Sequence, residues 1–155
     1  MTTISDLVPV SVLTKIAQRV RAKAAEIARS KNVPIRSASE IGIRAPQVTQ
    51  SQTSIVLTLS GKLSAYEWGS GIHRTRGGAA KYPITPKNGR ALVFPGTNEF
   101  EGQTIITPLV MHPGVSPRPF LEPAKRATRQ QNLEDIRKTN LENTRLIIKG
   151  MARKI

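Results

Sequence analysis

Cysteine is absent from this chain, which excludes a disulfide framework and any zinc–thiolate site. Aromatic residues make up only 4% of it, so the core must be small and aliphatic. They also do not interleave with basic residues, as stacking platforms for single-stranded nucleic acid do. No run approaches the ~20 apolar residues needed to cross a bilayer. The first residues, Met1-Thr2-Thr3-Ile4-Ser5-Asp6, lack the basic start and apolar block of a secretory leader. A soluble protein, intracellular when made and without a membrane partner, is the expectation. No internal repeat is visible.

Patterns that carry chemistry are missing too. No Gly-Lys-Ser/Thr of a Walker loop is present, and Arg74 stands where the third glycine of a dinucleotide fingerprint belongs. Gly69-Ser70-Gly71 fails the Gly-x-Ser-x-Gly spacing of a nucleophile elbow. His73 and His112 show no tight metal-ligand spacing. Glu99 and Glu101 fall in a turn-rich loop, where paired glutamates are usually solvated. No catalysis, metal or cofactor is expected.

What is abundant is positive charge. Across 155 residues, 24 Lys and Arg oppose 10 Asp and Glu, for a net charge of +14. That length suits one domain, here 1–155, and that bias suits a polyanionic neighbour or strong solubility. The charge is segmental: +5 over 1–36, 0 over 37–61, +5 over 62–90, −2 over 91–117 and +6 over 118–155. No helix-turn-helix or zinc-finger signature accompanies it, so specific base reading is not expected.

Residues 9–30 carry Val12, Leu13, Ile16, Ala17, Val20, Ala24, Ile27 and Ala28 at helical spacing, with Pro9 before them and Pro34 beyond. This predicts an amphipathic helix with a solvated basic face. Ile41–Arg44 predicts a short strand and Ser54–Ser60 a clearer one, ended by Gly61. Tyr66 and Trp68 then close one end of the core. Residues 69–81 are glycine-rich and basic, which predicts a long loop bearing Arg74 and Arg76. Tyr82–Gly89 reads as extended chain and turn, and Arg90–Pro95 as a strand. Thr104–Met111 reads as another strand, which Pro108 places at an edge or bulge. From about Pro123 to Lys149 the chain is helix-like but polar. Leu133, Ile136 and Ile147 form a thin stripe completed by Asn140 and Thr144, too little apolar surface to hold the helix alone.

The most informative stretch is His112-Pro113-Gly114-Val115-Ser116-Pro117-Arg118-Pro119-Phe120-Leu121-Glu122-Pro123-Ala124. Its prolines stiffen it, Pro113-Gly114 is a turn signal, and Pro119 or Pro123 fits a helix's first turn. Phe120-Leu121 is the apolar plug expected to seat this elbow on the core, and His112 is expected to pack or hydrogen-bond in the turn. This stretch resembles the motif near the C-terminus of the head–tail joining, or tail-completion, proteins of long-tailed phages. Two other places are similar to that family: Tyr66-Glu67-Trp68-Gly69, and Ile84, Pro86, Lys87 with Ala91, Leu92, Phe94.

The resemblance implies an α+β fold, with a small antiparallel sheet flanked by an N-terminal and a C-terminal helix and a long glycine-rich loop. It implies a virion protein of the phage neck, made in the host cytoplasm. The resemblance also implies a hexameric ring that meets the head-connector and tail-tube proteins around the passing genomic DNA. The residues expected to carry these interactions are Tyr66, Trp68, Arg74, Arg76, His112, Arg118, Phe120, Leu133, Ile136 and Ile147. The charge alone supports a different expectation, a nonspecific nucleic-acid-binding protein.

Overall fold

The computed structural model describes residues 8–49, 52–74, 80–96 and 98–152, with the side chains of Asn98, Ile147, Met151 and Ala152 left out. The fold is α+β. Among the described residues it has three α-helices, α1 (Val10–Ser30), α2 (Gly61–Trp68) and α3 (Leu121–Ala152). Between them lie β1 (Ile41–Ile43), β2 (Gln47–Val48), β3 (Thr53–Ser54), β4 (Leu57–Leu59), β5 (Tyr82–Ile84), β6 (Leu92–Pro95), β7 (Thr104–Thr107) and β8 (Val110–His112). The strands pair as four separate two-stranded antiparallel ladders: β1 with β4, β2 with β3, β5 with β8 and β6 with β7. None of the described helices is long and apolar enough to cross a membrane.

The chain divides into two compact units. The first comprises residues 1–67 and 118–155, the second 68–117.

In the first unit, α1 buries a stripe of small residues, Ala17, Val20, Ala24, Ala25 and Ala28. Small side chains let a second helix approach closely, and α3 presents Ala124 and Leu121 to the same core. Asn32 ends α1 cleanly. It adopts φ 55°, the left-handed conformation that asparagine tolerates better than most residues. Its N–H reaches the Arg29 carbonyl at 3.0 Å, and Val33 N–H reaches Ala28 at 2.9 Å. This is the Schellman pattern, and Val33 turns inward to the core behind it. Pro34 then bars any continuation.

Helix α2 departs from expectation. Residues 54–60 were expected as one strand and 61–68 were not expected to be helical. The stretch instead splits, Ser54 ending β3 and Leu57–Leu59 forming β4, and Ser60 starts a helix: its carbonyl accepts from Ser64 N–H at 2.8 Å and its Oγ from Leu63 N–H at 3.5 Å. Leu63 from this helix is 1% exposed and completes the core with Ile41 and Phe120.

The second unit is built differently. Thr104–Met111 is two strands with different partners, because Pro108 has no N–H to donate and Thr107 folds its hydroxyl onto Leu109. Pro83 and Pro95 sit inside β5 and β6 and remove further ladder donors. Proline-bearing edges do not recruit third strands, which keeps these ladders two-stranded. Among the described residues of 68–117, no apolar side chain is buried.

Candidate functional site

The proline elbow organises the first unit. Phe120 is fully buried and occupies the residue before α3, where an apolar ring cannot cap the helix's free N–H groups. Glu67 at the end of α2 does so instead. Its Oε2 accepts from the backbone N–H of Phe120 at 2.7 Å and of Leu121 at 3.1 Å. The carboxylate is only 6% exposed, and it sits against the positive end of the α3 dipole. Thus the acidic residue of the Tyr66–Gly69 signature serves the Arg118–Leu121 half of the elbow directly.

Arg118 locks the other side. Its backbone N–H donates to the Tyr66 carbonyl at 2.6 Å. Its guanidinium donates to the carbonyls of Lys31 and Asn32 at 3.2 and 3.1 Å, at the C-terminal end of α1. The same guanidinium lies 6.0 Å from the Tyr66 ring centroid. In return Lys31 Nζ donates to the Pro119 carbonyl at 2.5 Å. Tyr66, Glu67, Arg118 and Phe120 are therefore one joint, and its chemistry is structural.

The second unit contains the turn half of the stretch. His112 Nδ1 accepts from Gly114 N–H at 2.8 Å, and its ring lies 5.3 Å from that of Tyr82. The turn packs backbone to backbone on residues 70–72, with Ile72 N–H on the Pro113 carbonyl at 2.7 Å and Ser70 N–H on Val115 at 3.0 Å. Gly114 (φ 103°) and Gly71 (φ 59°) allow that approach, since a Cβ on either would collide with the opposite backbone. Trp68 is half-buried at the last position of α2, and Arg74 is exposed. Arg76 lies outside the described residues.

On α3, Leu133 is partly exposed and Ile136 half-buried, while the Ile147 side chain lies outside what is described. A polar clamp joins α3 to α1. Arg19 donates to Asn132 Oδ1 and Asp135 Oδ2, each at 2.6 Å, and Lys15 lies 3.6 Å from Asp135. The Arg19 hydrogen bond, aided by the charges of Arg19 and Lys15, holds the Asp135 carboxyl below the ordinary carboxylate range. The two helices run antiparallel, since Arg118, ahead of α3, meets the end of α1 while Arg19, nine residues into α1, meets Asp135.

The expected interaction residues thus fall in different surroundings. Phe120 is interior and offers a partner nothing. Tyr66, Arg118 and His112 are engaged within their own units. A further exposed apolar surface, in addition to that of α3, lies where only ordinary strands were expected. In β6 and β7 the register pairs Val93 with Ile106, and these are 66% and 68% exposed. The opposite face of the same ribbon carries Leu92, Phe94 and Ile105, half-buried. A ribbon with apolar side chains on both faces departs from the one-sided alternation of a strand covering its own core. That period-two test applied to 92–95 and 104–107 would have found it.

Comparison with protein-family models, with curated proteins and with solved structures finds no match to this chain.

Proposed function

We propose that this chain is a structural protein that assembles with copies of itself into a ring, as the phage head–tail joining resemblance implies, completing a tail and joining it to a head connector. The observation that carries this reading is the second unit. Its described strands are rich in apolar residues yet bury none of them, and isolated two-stranded ribbons are marginal in water. Such a unit gains from a neighbour what it does not obtain from its own chain. The distal part of α3 makes the same point, with Leu141, Leu146 and Ile148 at 60–68% exposure. Function in this reading is binding geometry, and no bond is made or broken. The test is mass in solution by light scattering, together with particle images. A ring of a single stoichiometry is expected, and a monomer throughout the micromolar range refutes the reading.

A second reading, nonspecific binding of nucleic acid, is favoured by the exposed Arg137, Lys138, Arg145 and Lys149 on α3. Salt separates the two. Affinity for phosphate falls steeply as salt rises, whereas an apolar ring contact persists.

A further inference from the structure

Two exposed surfaces of this chain are complementary in charge. On the β6–β7 ribbon, Val93 and Ile106 form an outward apolar pair. The loop joining the two strands carries exposed Glu99 and Glu101, and the whole segment 91–117 contains no Lys or Arg. On α3, Leu141 and Ile148 are 61% and 60% exposed. They are about two turns apart and share one face. Arg145 and Lys149, both exposed, flank that face. Leu141 stands about two and a half turns beyond Asn132, so it points away from the side that meets α1.

We infer that the outer face of the β6–β7 ribbon of one copy receives the Leu141–Ile148 face of α3 from a second copy. The acidic loop then meets the basic flank of the helix. The inference rests on the ring reading above and supplies its contact. Because the two surfaces differ, the contact is heterologous: each copy offers a ribbon to one neighbour and a helix to the other. Head-to-tail contacts of this kind close into rings or extend as filaments.

The absence of native cysteine makes the test direct. Ile106→Cys and Leu141→Cys are made as single variants, at exposed positions where the fold does not depend on the side chain. Mixed and oxidised, the two variants should form a disulfide-linked dimer, while each alone stays unlinked. The double variant should form a ladder of multimers on a denaturing gel. Charge reversal supplies the second arm. Glu99→Lys with Glu101→Lys should abolish linking, as should Arg145→Glu with Lys149→Glu, and combining the two sets should restore it. An oligomer by light scattering with no link between positions 106 and 141 overturns this contact and leaves the ring reading standing. Ile106→Cys linking only to itself replaces it with a ribbon-on-ribbon contact. A monomer at every concentration overturns both, as does retention of the α3 basic face on DNA without any self-association.

Discussion

A carboxylate at 6% exposure is costly unless its charge is met, and Glu67 meets it with two backbone N–H groups of the α3 N-terminus. The Glu67→Ala substitution would leave both donors buried without a partner. Each such donor costs about 1–3 kcal/mol, so a loss of roughly 2–6 kcal/mol is expected in denaturant unfolding. Glu67→Gln keeps an acceptor at the same place and should lose markedly less. Equal losses for the two variants would show that the side chain packs rather than caps. At this scale the sequence was readable where a residue acts through its own type. Phe120 is the expected plug, and His112 hydrogen-bonds in its turn as expected. Glu67 was legible as part of a four-residue signature but not as a cap, because its partners lie about fifty residues away and are backbone atoms, which carry no side-chain signal.

Among the elements, helices with a wide apolar stripe were readable and short ones were not. The α1 spacing marks its length to within a residue or so, since alanines and β-branched residues repeat on one face and Asn32 and Pro34 close it. Helix α2 has eight residues and only Leu63 and Tyr66 on the core, too few for a periodic signal. Helix α3 was readable from its polar, helix-favouring composition, but its clamp to α1 was not, since Arg19 seemed only one of several solvated cations. That clamp predicts a pH dependence. The folded Asp135 carboxyl titrates below its ordinary value, chiefly through the Arg19 hydrogen bond. Its contribution is therefore present above the unfolded value, about 4, and is lost as pH falls through the lower, folded one. Asp135→Asn should flatten that part of the acid-unfolding limb while leaving the neutral-pH profile parallel to the parent. Glu40 is held low in the same sense by the backbone N–H groups of Arg36 and Ser37, so some acid sensitivity should survive in the variant. An acid limb unchanged by Asp135→Asn would remove the clamp from the account of stability.

For the whole molecule, the division into two units was not visible in the sequence. The elbow motif reads as continuous, yet its turn belongs to 68–117 and its Arg118–Ala124 half to the other unit. The two units differ in what holds them. The first has a core of small and branched side chains closed by Phe120, Ile41 and Leu63. The second relies on ladders, on the 70–72 to 113–115 backbone contacts and on two obligatory glycines. Hydrophobic burial is the main favourable term in folding, so their stabilities should respond differently to association. A partner that binds only the folded form stabilises it by mass action, and that stabilisation grows with protein concentration. Amide hydrogen exchange across a dilution series separates the two. Amides of α1 and of the proximal half of α3 should exchange at rates independent of concentration. Those of β5–β8 should be slow in concentrated samples and become faster on dilution, following the loss of oligomer mass. The distal turns of α3 should follow β5–β8 rather than the rest of their own helix, since their apolar side chains are as exposed as those of the ribbon. If β5–β8 amides are equally protected at every concentration, the second unit is self-sufficient, and its exposed apolar face needs no neighbour.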